Sequence, residues 1–119
     1  MSEQIRSPGY DYSMVDSREK ALRLVDLGEL IALPMLPALF GGDETDERNI
    51  VFVPPEIARR KEEVDERVLL PRIQAGAVLE YAVEPENDPV SFVPIALNLR
   101  AFSPEPVLYR WAIWQRSSV

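Results

Sequence analysis

Residues 77–116 read AVLEYAVEPENDPVSFVPIALNLRAFSPEPVLYRWAIWQR, and the fold class follows from this stretch. Apolar and polar residues alternate in three runs within it, and a period of two is the pattern of a strand with one buried face. Segments rich in proline, acids and serine separate the runs, which is typical of short turns. We therefore predict an antiparallel meander with strands at residues 77–84, 90–99 and 107–116.

The alternation also predicts which side chains share a face of this sheet. Tyr81 and Val83 share one face of the first run, and Tyr109 and Trp111 share one face of the last. Pro94 falls inside the second run, where its missing N–H demands a bulge or an edge position.

A helix is predicted ahead of the meander. Asp16 and Glu19 have the spacing of a capping box. Apolar residues then recur at helical spacing until Pro34, which ends the helix. Gly28 weakens the middle of this segment, so a break there is an alternative.

One more strand and a second helix complete the N-terminal half. Residues 50–53, IVFV, indicate a buried strand, and the second helix is predicted over residues 55–70 with Pro55 at its first position. Helices on one face of the meander make a two-layer α+β domain. We expect residues 1–15 to form a flexible N-terminal arm and residues 16–119 to form this single domain.

Composition excludes several classes of function. The chain has 119 residues, a net charge of -7, and neither histidine nor cysteine. The usual general base, thiolate nucleophile and structural zinc ligands are therefore absent, and we expect no cofactor and no metal. The negative charge argues against direct binding of nucleic acid or of an anionic membrane. No export signal or membrane-spanning stretch is recognisable, so a cytoplasmic location is expected.

The second face of the last predicted strand is the first candidate for a binding surface. If Trp111 faces the core, the period of two directs Trp114 towards solvent. An exposed tryptophan flanked by arginines has the composition of a protein-interface hot spot. Alternatively, a helix covers this face, or an arginine stacks on Trp114 at the surface. The candidate protein-binding residues are Leu108, Arg110, Trp114 and Arg116.

A loop rich in acids is the second candidate, formed by Asp43, Glu44, Asp46 and Glu47. Thr45 interrupts the acids and the glycines precede them, so the pattern does not match a calcium loop. The loop is predicted either to be solvated or to bind a basic protein. The preceding segment LPMLPALF, residues 33–40, is either a buried irregular turn or the hydrophobic lip of a groove.

Carboxylates also occur at i,i+3 spacing on the second predicted helix, as Glu62 with Asp65 and Glu63 with Glu66. Metal sites of this kind usually add a Glu-x-x-His motif, which the chain lacks, so a charged solvent-facing side is expected. Paired carboxylates can catalyse hydrolysis, but no pattern brings two of them together, and we do not expect an enzyme.

The sequence therefore predicts a small acidic protein-binding module. The specific hypothesis is an inhibitor or immunity-type neutraliser of a basic, nucleic-acid-handling protein, because an acidic surface accelerates association with a basic target. The first alternative is a structural or assembly subunit that forms homo-oligomers through the C-terminal strand. The second is a small-ligand-binding domain that uses Tyr81, Phe92 or Tyr109.

Overall fold

A computed structural model of the chain describes residues 11–76, 80–102 and 105–115. Its elements are two antiparallel sheets, three α-helical segments and short 3₁₀ turns, and the predicted α+β class is confirmed. None of the described helices is long and apolar enough to cross a bilayer. In chain order the helices and strands are α1 (Arg18–Asp26), β1 (Ile31–Pro34), β2 (Ile50–Val53), α2 (Pro55–Val64), α3 (Leu70–Gln74), β3 (Glu80–Glu86), β4 (Ala96–Phe102) and β5 (Pro106–Ala112).

The C-terminal meander forms as predicted. Strands β3, β4 and β5 lie in that order and are antiparallel, with Leu99 paired to Val83 on one side and to Tyr109 on the other. The strand bounds differ from the prediction, because β4 begins only at Ala96. Pro94 therefore lies ahead of the strand and removes no donor from the ladder. Residues 77–79, which the prediction placed in the first strand, lie outside the described residues.

The first helix is shorter than predicted, and its extension to Pro34 is wrong. Ser17 caps α1 by accepting a hydrogen bond from the Lys20 N–H at 3.1 Å, whereas Asp16 instead forms an ion pair with the Lys20 side chain. The helix ends at Asp26, and Gly28 then adopts a left-handed φ of +79°, which glycine tolerates at a helix end. The apolar residues that follow form β1, which pairs with β2.

The second helix is longer than predicted, because Pro71 does not end it. Pro55 stands in the first turn of α2, as expected. A π turn over Asp65–Leu69 then links α2 to α3, and Pro71 lies in the first turn of α3. Because a π turn contains one more residue than an α-helical turn, the side chains that follow it project from a different side of the helix.

Strand β2 separates two hydrophobic cores. Val51 and Val53 face the first core and Phe52 faces the second, as the period of two requires. The first core packs the inner face of the C-terminal sheet against α2 through Ile57, Val64, Leu97, Leu99 and Trp111, among others. The second core contains Tyr12, Val15, Ala21, Leu30, Phe52, Val93 and Trp114.

Trp114 lies in the second core, so its expected exposure is wrong. The side chain is only 5% exposed, its indole N–H donates to the Val93 carbonyl at 2.9 Å, and its ring packs edge-on against Tyr12. The reason is that β5 ends at Ala112, after which the alternation no longer governs side-chain direction. Tyr12 and Val15 belong to this core although they fall within the predicted arm; residues 1–10 of the arm lie outside the described residues.

Trp114→Ala should therefore destabilise the fold. Removing a buried tryptophan is expected to lower the free energy of unfolding by about 3–5 kcal/mol. Urea denaturation followed by circular dichroism measures the loss, with Leu27→Ala at an exposed position after α1 as the control. A loss below about 1 kcal/mol for Trp114→Ala would contradict the burial, because that is the range of surface substitutions.

Candidate functional site

A groove lies between the segment that follows β1 and the end of α2. It has a volume of about 350 Å³. Segment 33–44 forms one wall and residues 61–66 form the other. Leu33, Lys61 and Asp65 are buried and lie at its base, whereas its other lining residues, Pro34, Pro37, Leu39, Glu44, Glu62 and Glu66, are partly or fully exposed.

The first wall of the groove is an ordered loop. The Asn49 side chain accepts from the Leu36 N–H and donates to the Leu36 carbonyl, both at 2.8 Å, and also donates to the Asp43 carbonyl. Gly42 passes so close to this turn that an added Cβ would lie 1.8 Å from the Leu36 oxygen. Glu44 accepts from the Ala38 N–H at 2.7 Å. These bonds hold the loop in one conformation before any ligand binds.

Lys61 and Asp65, both buried, form a polar triad with half-buried Tyr81 beneath the groove. Lys61 Nζ lies 2.6 Å from Asp65 Oδ2 and donates to the Tyr81 hydroxyl at 2.9 Å. The hydroxyl donates in turn to Asp65 Oδ1 at 2.8 Å, with the Met35 carbonyl 3.3 Å away. Lys61 is 1% exposed and Asp65 is 3% exposed. The triad therefore joins α2, β3 and the loop after β1.

The triad was missed at the sequence level. Lys61 and Asp65 stand on the same side of α2 as Ile57 and Val64, at helical i,i+4 and i,i+3 spacing, so their place in the apolar stripe was the available signal. The abundance of acids on this helix concealed it, and the expectation that Asp65 belongs to a solvent-facing side is wrong.

The triad is arranged for structure and hydrogen bonding. Burial, the neighbouring Asp65 carboxylate and the hydrogen bond to it all raise the pKa of Tyr81 far above its usual value, so the phenol stays protonated. The ammonium of Lys61 is held between the carboxylate and the phenol oxygen. These contacts position the helix and the strand that carry the groove.

The acidic loop separates into two kinds of residue. Asp43 accepts from Thr45 and Asp46 accepts from Arg48, and these hydrogen bonds lower the pKa of both carboxyl groups. Glu47 lies 3.7 Å from Arg18 Nη2 on α1. Of the four predicted residues, only Glu44 lines the groove, where it joins Glu62 and Glu66 from α2 and the π turn.

The residues predicted on the last strand are not brought together with Trp114. Leu108 and Arg110 lie on the outer face of the sheet, and Arg116 lies outside the described residues. Arg110 donates through Nε and Nη2 to Glu86 at 2.8 and 2.9 Å, and Asn98 donates to the same carboxylate. The outer sheet face thus carries an ordered polar network.

Within the described ranges, no group of three or more acidic side chains is placed to hold a metal ion. Comparison of the chain with protein-family models, with curated proteins and with solved structures finds no match.

Removing one member of the triad should lower the free energy of unfolding. Lys61→Met leaves the Asp65 carboxylate buried without its cation, and we expect a loss of about 3–5 kcal/mol in the free energy of unfolding. The double variant Lys61→Met with Asp65→Leu should recover most of the loss, because neither charge stays buried. Urea denaturation monitored by tryptophan fluorescence measures both.

Arg60→Met is the matched control for this comparison, since Arg60 pairs with Glu56 at the same i,i+4 spacing on the exposed side of α2. It should cost less than about 1 kcal/mol. A double variant as unstable as Lys61→Met alone would contradict the triad as a source of buried, unpaired charge.

Glu86 should titrate unusually low. Hydrogen bonds from Arg110 and Asn98 lower its pKa to about 2 in the folded protein. A lowered pKa stabilises the fold above the unfolded value of about 4.3. We expect this stabilisation to disappear as the pH falls from there towards 2. Carboxyl ¹³C shifts measure the titration, and Arg110→Gln should raise the pKa of Glu86 whereas Arg18→Gln should leave it unchanged. An unshifted titration in the Arg110 variant would contradict the network.

Proposed function

We propose that this protein is a binding module for a basic partner protein, and that the groove between segment 33–44 and residues 61–66 receives the partner. The observation that carries the proposal is the combination of an apolar wall with three exposed carboxylates on one concave surface. The occupant is a segment of the partner that presents both apolar side chains and arginine or lysine.

Charge specifies the chemistry of the partner. Among the described residues that line the groove, Glu44, Glu62, Asp65 and Glu66 are acids and Lys61 is the one base, and Lys61 neutralises Asp65. The remaining three carboxylates face solvent and attract cationic side chains. The net charge of -7 over the whole chain extends the same attraction to long range and increases the association rate.

The apolar wall supplies the short-range contact. Leu39 is among the exposed large hydrophobic side chains of the described residues, and it shares the groove with Pro34 and Pro37. Because the Asn49 bonds and the Glu44 bond already order this loop, little conformational entropy is lost when a ligand covers it. These features support the hydrophobic-lip interpretation of residues 33–40.

The proposed partner is of the type expected from the sequence, but the proposed binding surface is the groove instead of the last strand. Buried Trp114 is not an anchor for a partner, and Glu44 is the one acidic-loop residue at the groove. A basic protein that handles nucleic acid presents segments that contain arginine or lysine, and the groove fits such a segment when it also carries apolar side chains. Binding there would cover residues that otherwise contact phosphate, as an inhibitor of the neutraliser type requires.

Charge reversal in the groove should weaken binding selectively. The probe is a fluorescent peptide of alternating leucine and arginine, with a leucine–glutamine peptide and a serine–arginine peptide as tests of the charge and apolar requirements. Glu62→Lys combined with Glu66→Lys should raise the Kd for the leucine–arginine peptide about tenfold or more, because attraction becomes repulsion at two positions. Fluorescence anisotropy at two salt concentrations measures Kd.

Glu63→Lys combined with Asp26→Lys is the matched control, since both residues are exposed, neither lines the groove, and the change in net charge is the same. The control should weaken binding only slightly. In ¹⁵N–¹H spectra the peptide should shift the amides of Leu39, Glu44 and Glu66. Equal weakening by the two double variants, or shifts confined to the outer sheet face, would overturn the proposal.

A further inference from the structure

Strand β5 is an exposed edge of the C-terminal sheet. It is seven residues long and, among the residues that the structure describes, pairs only with β4. Edge strands of this length present backbone donors and acceptors to other chains unless something blocks them.

The phase of the hydrogen bonds identifies the free groups on this edge. The Ile113 N–H donates to the Ile95 carbonyl on the β4 side. Since backbone groups alternate in direction along a strand, Val107, Tyr109 and Trp111 also direct their N–H and C=O groups towards β4. Leu108, Arg110 and Ala112 therefore direct theirs outward, where no described residue accepts or donates.

The two edges of the sheet differ in how they are protected. On the β3 edge, Pro85 lacks an N–H and Glu80 adds exposed charge, and both features discourage pairing. On β5 the proline stands only at the first position, Pro106. Arg110 is the one charged residue of β5.

Arg110 does not protect its edge, because its guanidinium is bound elsewhere. It reaches across β4 to Glu86, with two hydrogen bonds to that carboxylate. The charge is thereby neutralised and directed into the sheet, away from the edge. The two residues before Arg110 are exposed on opposite faces of the strand: Leu108 is 66% exposed and Tyr109 is 37% exposed.

We infer that β5 pairs with β5 of a second copy of this chain, antiparallel and centred on Tyr109, so that one continuous sheet runs through a two-fold symmetric dimer. The outward groups of Leu108 and Arg110 in one copy bond to those of Arg110 and Leu108 in the other. A two-fold axis makes the contact closed and self-complementary.

The side chains select this register. With the axis at Tyr109, each Leu108 lies opposite an Arg110, whose aliphatic stem packs on the leucine, and no like charges face each other. The two Tyr109 rings lie opposite in a non-hydrogen-bonded pair, where side chains approach most closely. Each is already stacked on Trp111 of its own copy at 5.5 Å, so the rings form one aromatic row. Centring on Arg110 instead would set the two guanidinium groups opposite each other.

The dimer is independent of the groove, because no residue of β5 lines it. Failure of one proposal therefore leaves the other unaffected. A dimer would present two grooves, and a partner with two basic segments would bind with increased avidity.

Sedimentation equilibrium of the purified chain tests the dimer. The expected mass is twice the 13.5 kDa of one chain, with dissociation on dilution. Leu108→Lys should raise the dimer dissociation constant about tenfold or more, since a lysine on an edge strand discourages pairing with another chain. Leu27→Lys is the control, matched in exposure at 67% on another surface, and should have no effect.

A single cysteine tests the register directly, because the native chain contains none. In the proposed register the two Tyr109 Cα atoms lie about 4.5 Å apart, within the range that a disulfide spans. Tyr109→Cys should therefore form a covalent dimer under mild oxidation, about tenfold or more faster than Leu27→Cys, which cross-links only by random collision. Folding of both variants is checked by circular dichroism.

A chain that stays monomeric at every concentration, or equal cross-linking rates for the two cysteine variants, would overturn the inference. So would an unchanged dimer dissociation constant in the Leu108→Lys variant.

Discussion

The ion pair between Lys61 and Asp65 is the contact on which the packing of α2 against the C-terminal sheet depends. It lies in a nearly dry site, and the Tyr81 hydroxyl completes the coordination of both charges. Because an isolated charge there would be strongly unfavourable, α2 and β3 are held in the one alignment that satisfies all three groups. The Met35 carbonyl beside the hydroxyl extends this constraint to the loop that forms the groove.

Strand β2 provides the second constraint, since its two faces belong to different cores. Val53 packs with the C-terminal sheet and α2, while Phe52 packs with α1 and the segments that carry Tyr12 and Trp114. Chain segments far apart in sequence thus depend on one short strand. Hydrogen bonds from Asn49, which directly precedes β2, fix the loop that follows β1, so this wall of the groove is held in place by the strand that joins the two cores.

The two proposed interaction surfaces depend on different kinds of contact. The groove combines concavity, apolar side chains and uncompensated carboxylates, which together fit a basic and partly apolar segment. The β5 edge instead offers backbone groups and an aromatic row, and its one charge is neutralised by Glu86. The first arrangement favours a heterologous partner and the second favours an identical strand, so the protein is proposed to bind its partner as a dimer.

Periodicity in the sequence was sufficient for local structure. The alternation over residues 77–116 predicted the meander, the four apolar residues at 50–53 predicted a buried strand, and Pro55 marked the start of α2, because each signal depends only on neighbouring residues. The same local patterns failed where distant partners intervene. Residues 31–34 continue a helical pattern, yet they form a strand because β2 lies beside them.

The candidate sites were decided by tertiary contacts. Acidic composition pointed to a basic partner, but the groove exists only because α2 packs beside the loop after β1 and brings Glu62 and Glu66 next to Glu44. Trp114 is buried because the chain leaves the sheet after Ala112 and turns into the second core. Lys61 and Asp65 are buried because Tyr81, sixteen residues beyond Asp65, covers them. Sequence periodicity describes the faces of single elements, whereas which faces meet depends on packing between elements that are distant along the chain.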